Sequence, residues 1–254
     1  MSPITPRCAV VAGVLLAAGT TAARAQEPAH HWSYSGETGP AHWAKLEEDF
    51  ATCGKGKSQS PIDVRTHAVH RGALPAIQFD YQPVPLDIVD NGHSIQVNYA
   101  PGSFITVDGH RYELQQFHFH KPSEERVDGR HYDMVAHLVH KDDQGRAAVV
   151  AVLLSSGAAN PLVQTLWDHR PAQGKEIHDE AVRVDAADLL PATKGYYTFA
   201  GSLTTPPCSE GVTWYVLKAP SQVSSLQIGQ FSVSYPMNAR PVQPLHGRAV
   251  RASE

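Results

Sequence analysis

The segment that most restricts the fold of this chain is Leu114–His120, which reads LQQFHFH. Successive side chains of a β-strand point to opposite faces of its sheet. As a strand, the segment places Gln116, His118 and His120 on one face and its two phenylalanines on the other. The aromatic rings anchor the strand in a core while two imidazoles project side by side. The pattern therefore predicts a strand that carries a compact pair of metal ligands.

A second histidine segment, Met134–His140, reads MVAHLVH and is also typical of a strand. Alternation puts His137 and Val139 on one face and His140 on the other. His140 is therefore not expected to share a site with His137. A helical conformation of the same segment would bring both histidines together, and this alternative stays open at the level of sequence.

The remaining pattern favours β-structure, with a hairpin turn predicted at Asp108-Gly109. Four further strands are predicted: Ser94–Tyr99, Ser103–Val107, Ala147–Leu154 and Val212–Leu217. Helical periodicity is short and weak. The candidate helices are Ala41–Asp49, Pro161–His169 and Ser221–Gln230. No repeat, low-complexity tract or charged linker divides residues 26–254, so we expect one mainly β domain with small peripheral helices.

The first 25 residues have the pattern of a cleaved signal peptide. Arg7 supplies a positive charge, Ala9–Ala18 is apolar, and Ala23–Ala25 gives a small-x-small cleavage site. The apolar run is shorter than the roughly 20 residues that span a bilayer. We expect an exported chain, periplasmic or extracellular, without a membrane span; a buried N-terminal helix is the alternative.

Removal of residues 1–25 also removes Cys8 and leaves Cys53 and Cys208 as a single pair. Cysteines of an exported protein lie in an oxidising compartment, which favours a disulfide between them. Two free thiols are the alternative. A formal net charge of −4 with a pI of about 6.4 gives no electrostatic reason to expect nucleic acid as a partner. At the level of sequence, a homodimer stays an alternative to a monomer.

Three neutral imidazoles from His118, His120 and His137, with no thiolate or carboxylate, suit Zn²⁺ in a site with a free coordination position. The chain has 15 histidines, however, so three of them within 20 residues can arise without a metal. Spacing alone leaves a catalytic zinc site, a zinc-buffering protein and a metal-free protein as alternatives.

The order of the surrounding motifs identifies a resemblance to the α-class carbonic anhydrases. The resemblance runs from about Trp32 to Arg248, which is nearly the whole expected mature chain. The motifs that carry it are His31–Tyr34 (HWSY), Gln59–Pro61 (QSP), Asn91–His93 (NGH), Gln116–His120 (QFHFH), His137–His140 (HLVH), Ser202–Pro207 (SLTTPP) and Arg240–Leu245 (RPVQPL).

The resemblance implies a single domain with a large, twisted, mostly antiparallel central sheet and short peripheral helices. It implies one Zn²⁺ per chain and the reversible hydration of carbon dioxide to bicarbonate and a proton, with ester hydrolysis as a side activity. A non-catalytic binding module on the same scaffold is the runner-up. Relatives that lost catalysis lack one or more zinc histidines, whereas all three stand here.

Roles are carried over to the matching positions. His118, His120 and His137 resemble the zinc ligands, and Thr204 resembles the threonine that accepts a hydrogen bond from zinc-bound hydroxide. Glu124 resembles the glutamate that orients this threonine, although Thr205 or Glu125 could be the working member of either pair.

His93 matches the proton shuttle of the family, with an ordinary surface histidine in an Asn-Gly turn as the alternative. Gln116 and Asn238 are expected to support the ligands from outside. Cys53 and Cys208 lie where exported members often form a disulfide. The substrate-binding positions implied are Val139, Val149, Leu203, Thr204, Thr205, Val212 and Trp214, and the apolar ones would also suit any β core.

One position departs from the family pattern. Many members have a glutamate two residues before the third ligand, where it fixes the tautomer of that imidazole, but this chain has Val135 there. Loss of such a partner typically costs 10–100-fold in metal affinity or activity. We expect a backbone carbonyl, a water or a neighbouring polar side chain to take the role for His137.

Overall fold

The computed structural model of the protein describes Met1 and residues 32–254. The expected signal peptide, with Cys8, and His31 of the HWSY motif lie outside the described residues. Among the described residues, no helix is long and apolar enough to cross a membrane.

The described residues form a mainly β domain with four short α-helices and three short 3-10 helices. The strands are β1 (Asp63–Val64), β2 (His70–Arg71), β3 (Gln78–Asp80), β4 (Val84–Asp90), β5 (Ile95–Asn98), β6 (Phe104–Val107), β7 (His110–His120), β8 (Arg126–Val127), β9 (Met134–Lys141), β10 (Ala147–Ser156), β11 (Glu176–Val184), β12 (Tyr196–Ser202), β13 (Glu210–Leu217), β14 (Ser221–Val223) and β15 (Arg251–Ala252). The α-helices are α1 (Trp43–Leu46), α2 (Thr52–Lys55), α3 (Pro161–Asp168) and α4 (Ser225–Ser232), and the 3-10 helices are Gly36–Thr38, Glu48–Phe50 and Ala186–Leu189.

Within the described part of the chain, 13 strands form one sheet whose main path runs β11-β4-β5-β7-β9-β10-β13-β12-β15-β2. Most neighbours are antiparallel; β10 pairs in parallel with β13 and β14, and β15 with β2. The predicted mostly antiparallel central sheet is therefore confirmed. The remaining strands, β1 and β8, form a separate parallel pair.

The two histidine segments are adjacent strands near the middle of this sheet. β7 and β9 are antiparallel, and their register places His118 opposite His137. Phe117 and Phe119 are fully buried in the larger hydrophobic cluster on one face. A smaller cluster on the other face contains Val135, as alternation along β9 requires. The predicted division of β7 into an aromatic face and a histidine face is confirmed.

His140 lies on the face of β9 opposite to His137. It is fully buried, and its Nε2 hydrogen-bonds with the hydroxyl of Tyr81 at 2.8 Å. The helical alternative for Met134–His140 is wrong, because the segment is a strand paired on both sides. The prediction that His140 stands apart from the site of His137 is confirmed.

The predicted turn at Asp108-Gly109 joins β6 to β7, and both residues have positive φ, 52° and 76°. Pro161–His169 is confirmed as α3, which begins at Pro161 after Asn160 accepts a hydrogen bond from the Val163 amide. Two helix predictions were too long. Only Trp43–Leu46 is α-helical within Ala41–Asp49, followed by a 3-10 turn.

The prediction of a helix from Ser221 to Gln230 was wrong in its first part. Ser221–Val223 forms β14 against Leu154–Ser156 of β10. The helix starts only at Ser225, because Ser224 and Gln227 form a capping box that fixes the first turn. Pairing with a buried strand outweighs the helical periodicity upstream of this cap.

Cys53 and Cys208 form a disulfide, with an S–S distance of 2.08 Å. The bond joins α2 to the turn between β12 and β13, and Trp43 packs with it in a small third cluster. The predicted pairing of the two cysteines is therefore present in the structure, across 155 residues of sequence.

The burial of His140 predicts a pH-dependent contribution to stability. Burial lowers the pKa of His140 from 6.5 to about 3, so the unfolded chain binds a proton between these values that the folded chain excludes. Stability is therefore lost as pH falls below 6.5. For one such group the loss is about 2 kcal/mol between pH 7.5 and pH 5.

Chemical denaturation of the metal-free protein and its His140→Gln variant measures this contribution. The variant lacks the proton-linked loss, so the difference in unfolding free energy between the two proteins should narrow by about 2 kcal/mol from pH 7.5 to pH 5. A difference that stays constant over this range would contradict the prediction.

Candidate metal centre

The side chains of His118, His120 and His137 converge on one point beside the centre of the sheet. One nitrogen of each imidazole lies within 4.8 Å of the corresponding nitrogen of the other two. The ring centroids are separated by 4.7 to 5.5 Å. His120 and His137 are buried, and His118 is half-buried. Adjacent strands and the parity of β7 and β9 therefore bring together the three predicted ligands.

Each of the three imidazoles has a fixed acceptor on its outer nitrogen. His118 donates through Nδ1 to the side-chain oxygen of Gln116 at 2.8 Å. His120 donates through Nδ1 to the backbone carbonyl of Asn238 at 2.7 Å. His137 donates through Nε2 to the carboxylate of Glu125, at 3.1 and 3.2 Å from its two oxygens.

These acceptors fix the tautomers, since a carbonyl or carboxylate oxygen can only accept. The lone pairs left for a metal are on Nε2 of His118, Nε2 of His120 and Nδ1 of His137. The Nε2 atom of His120 is buried and has no hydrogen-bond partner among the described residues. A buried nitrogen of this kind, aimed at two others, fits a metal ion that takes nitrogen ligands.

Electrostatics keep two of the rings neutral. Burial, with repulsion from His137, lowers the pKa of His118 to about 3. Burial and the two neighbouring histidines lower the pKa of His120 well below its usual range. For His137, burial lowers the pKa, but the charge and hydrogen bond of Glu125 and the charge of Glu124 outweigh it and raise the pKa. Neutral imidazoles are the form that binds metal.

Glu124 and Glu125 are both fully buried. Glu125 binds Nε2 of His137, and an oxygen of Glu124 lies 3.8 Å from Nδ1 of the same ring. Glu124 accepts a hydrogen bond from the backbone amide of Arg240 at 2.7 Å. Burial raises the pKa of Glu124 to about 7; His137 lowers it, Glu125 raises it, and a hydrogen bond with the Thr204 hydroxyl lowers it. Of the threonines and glutamates that the sequence left open for the orienting pair, the structure brings Thr204 to Glu124, and Glu125 contacts His137 instead.

Thr204 and Thr205 lie in the turn between β12 and β13. The amide of Leu203 donates to Ser209 at 3.0 Å, and the amide of Cys208 donates to Thr205 at 2.8 Å. Gly201 precedes this turn, and a Cβ there would lie 2.2 Å from Ser60 Oγ. A side chain at this position would therefore collide with Ser60, and also with the ring of Trp214, so glycine allows β12 to pack closely against both.

Thr205 lines a cavity of about 130 Å³ together with His93, His118 and His120. His93 follows β4 in a turn in which the Asn91 side chain accepts from the amide of His93 at 3.0 Å. The imidazole of His93 stacks on Trp32, with ring centroids 3.6 Å apart and planes inclined by 8°. His93 therefore lies at the cavity that His118 and His120 line.

The apolar residues predicted to line the substrate pocket belong to one hydrophobic cluster on the histidine face of the sheet. Trp214 packs its ring against His137, with centroids 4.9 Å apart and planes inclined by 79°. Its indole N–H donates to the carbonyl of Ser202 at 3.0 Å, which leaves the ring plane fixed. The buried members are Val149, Val212 and Trp214, and the partly buried Val139 and Leu203 pack against them.

Asn238 connects the end of β7 to the turn of His93. Its carbonyl accepts from His120, and its side-chain nitrogen donates to the carbonyl of His93 at 2.9 Å. Its side-chain oxygen accepts from the amide of Lys121 at 2.7 Å. The predicted support by Gln116 and Asn238 corresponds to direct contacts with His118 and His120.

Two functional contacts escaped the sequence interpretation. Trp32 was part of a matched motif but received no role, and no sequence signal shows that it stacks on His93. Glu125 was considered only as an alternative to Glu124. The lack of an acceptor at Val135 was the signal that could have identified it, since Glu125 was an acidic residue without an assigned role beside Glu124.

Comparison with known proteins agrees with this geometry. The family model described as eukaryotic-type carbonic anhydrase matches residues 38–254. A carbonic anhydrase of Nostoc sp. is 46% identical over 224 residues, covering 87% of this chain and 85% of the relative. The carbonic anhydrase of Pectobacterium carotovorum is 45% identical, with 87% and 90% covered. The solved α-carbonic anhydrase of Thermovibrio ammonificans superposes with a TM-score of 0.84 at 41% identity, covering 88% of this chain and 99% of that one.

Proposed function

Because the chain belongs to the α-class carbonic anhydrase family and is a carbonic anhydrase, we propose that it hydrates carbon dioxide reversibly through one Zn²⁺ held by His118, His120 and His137. The observation that carries the proposal is the convergence of three imidazole nitrogens on one point. An acceptor on the outer nitrogen of each ring fixes its tautomer and leaves the inner lone pair free for a metal. Three nitrogen donors leave one position of a tetrahedral zinc site open.

When bound, Zn²⁺ supplies a Lewis acid that lowers the pKa of a coordinated water to about 7, the general value for carbonic anhydrases. The residues prepare the site for this ion before it arrives. His118 and His120 are already neutral, so they can bind the ion without releasing a proton. The negative charge of Glu125 makes Nδ1 of His137 a stronger metal ligand.

Thr204 and Glu124 orient the nucleophile in this proposal. The carboxylate of Glu124 accepts a hydrogen bond from the Thr204 hydroxyl. The hydroxyl proton is then engaged, so the hydroxyl oxygen can only accept a hydrogen bond from the attacking group. A lone pair of that group is then directed at the carbon of the substrate. The contribution is one of positioning, and it depends on the rigid turn between β12 and β13.

His93 takes the released proton from the cavity to the solvent. An imidazole titrates near neutral pH and can accept and release a proton through water. The stack on Trp32 and the Asn91 turn hold the ring at the cavity wall. His93, which exports the proton, is therefore separate from the histidines that bind the metal and from the Thr204–Glu124 pair that orients the nucleophile.

Carbon dioxide has no charge, so we assign its binding to the apolar wall beside His137. Val139, Val149, Leu203, Val212 and Trp214 belong to the cluster that forms this wall, and we assign the turn residues Thr204 and Thr205 to its border. The same nucleophile can attack an ester carbonyl, so slow ester hydrolysis is proposed as a side activity. The partner of the protein is thus a small molecule.

We further propose that the chain is exported and that residues 1–25 are removed, which leaves a catalytic domain of residues 26–254. The disulfide between Cys53 and Cys208 supports an oxidising compartment. N-terminal sequencing of the protein recovered from outside the cytoplasm should start near Gln26. Recovery with Met1 retained would contradict the proposal.

Metal analysis tests the zinc site. We expect one zinc per chain in the wild type, none in His118→Ala, and a fall in carbon dioxide hydration of about 100-fold or more, since loss of an outer partner alone costs 10–100-fold. His140→Gln is the matched control, because it removes a buried histidine from the same sheet without touching the centre. An active protein free of metal would contradict the proposal.

Stopped-flow hydration at low buffer concentration tests the role of His93. In His93→Ala we expect turnover to fall on the order of 100-fold, because a positioned proton-transfer group contributes at least this much. Added imidazole should restore the rate, and kcat/KM should change little. Unchanged turnover in weak buffer would show that the proton leaves by another route.

A further inference from the structure

The third ligand of the centre is supported from a different part of the chain than the first two. Gln116 supports His118 from the same strand, and the carbonyl of Asn238 supports His120 from the segment after α4. Glu125 reaches His137 from the segment between β7 and β8. Both carboxylate oxygens of Glu125 lie within 3.2 Å of His137 Nε2. Glu125 is 0% exposed and His137 is 1% exposed, so water does not compete for this contact.

Strand β9 offers His137 no acceptor of its own. The residue on the same face, two positions earlier, is Val135, which is fully buried. Val135 packs in the apolar cluster with Val149, Ala151 and Leu153. The backbone groups of β9 are engaged with β7 and β10 on both sides. The outer nitrogen of His137 therefore depends on Glu125.

The segment that carries Glu125 is held in place on both sides. Ser123 donates its hydroxyl to the carbonyl of Glu125 at 2.8 Å and accepts from the amide of Tyr132 at 2.9 Å. The amide of Arg126 donates to the carbonyl of Ile62 at 3.2 Å, where β8 meets β1. A carboxylate held by its own backbone in this way is preorganised toward one partner.

We propose that Glu125 is the positioning residue of the third ligand. By accepting from Nε2 it keeps the proton there and turns Nδ1 of His137 toward His118 and His120. The adjacent Glu124 contacts the Thr204 hydroxyl and lies 3.8 Å from Nδ1 of His137, so it does not reach the outer nitrogen Nε2 that Glu125 binds. This inference rests on the proposed zinc site, but the tautomer of His137 is a property of the chain without metal.

Substitution of Glu125 tests the role through the tautomer of His137. In the metal-free wild type, at a pH high enough for His137 to be neutral, ¹⁵N NMR should show the proton on Nε2 and the lone pair on Nδ1; this pH lies above the usual one because the two glutamates raise the pKa of His137. In Glu125→Val both tautomers should be populated, because the buried N–H loses its acceptor. In Glu125→Gln the amide oxygen can still accept, so the wild-type tautomer should persist.

Zinc affinity, measured by competition with a chelator, gives the second readout. We expect Glu125→Val to weaken binding 10–100-fold and Glu125→Gln to weaken it less. The exchange variant Glu125→Val/Val135→Glu keeps the composition and returns a carboxylate to the face of His137. Its affinity should recover to within a few-fold of the wild type.

Asp90→Asn is the matched control for the loss of a buried carboxylate. Asp90 accepts from the hydroxyl of Tyr235 and the amide of Gly92, away from the three histidines. The control should lower the melting temperature and leave zinc affinity unchanged. Equal weakening by Asp90→Asn and Glu125→Val would reduce Glu125 to a general contribution to stability and would overturn the inference.

The two proposals fail in different ways. A wild type that binds no zinc would refute the proposed function, whereas the His137 tautomer in the metal-free protein would still decide the role of Glu125. A wild type that binds zinc, with the Nε2–H tautomer and the affinity unchanged in Glu125→Val, would refute the role of Glu125 alone.

Discussion

The hydrogen bonds on the outer nitrogens of His118, His120 and His137 are the interactions on which the centre depends. Each one fixes a tautomer, and together they direct three lone pairs to one point. Their acceptors come from three kinds of group: a side-chain amide, a backbone carbonyl and a buried carboxylate. The centre is thus formed by the fold as a whole, because these acceptors lie on β7, near the end of the chain and between β7 and β8.

The sheet makes this arrangement possible because it buries both sides of the histidine strands. Phenylalanines of β7 fill one face, so the other face can carry polar groups at the bottom of a cavity. Burial there raises the pKa of Glu124 to about 7 and lowers that of His118 to about 3. The same desolvation that makes these groups costly also strengthens their mutual interactions.

The sequence predicts the local parts of this account well, since alternation along β7 and β9 is a property of a few consecutive residues. It separates His137 from His140 and pairs Cys53 with Cys208. It does not predict the contacts that join distant segments, such as Glu125 to His137 or Trp32 to His93. These depend on where a loop is anchored, which is set by backbone hydrogen bonds that carry no sequence signal. The helix predicted from Ser221 failed for a related reason, because strand pairing with β10 decided its first residues.

The central claim is that the chain presents Nε2 of His118, Nε2 of His120 and Nδ1 of His137 to one zinc ion. Anomalous diffraction at the zinc edge, from crystals of the zinc-loaded protein, tests it most directly. We expect a single strong peak about 2.0–2.1 Å from these three atoms, with Glu125 still in contact with Nε2 of His137. A peak bound elsewhere, or coordination through Nε2 of His137 with the ring turned away from Glu125, would contradict it.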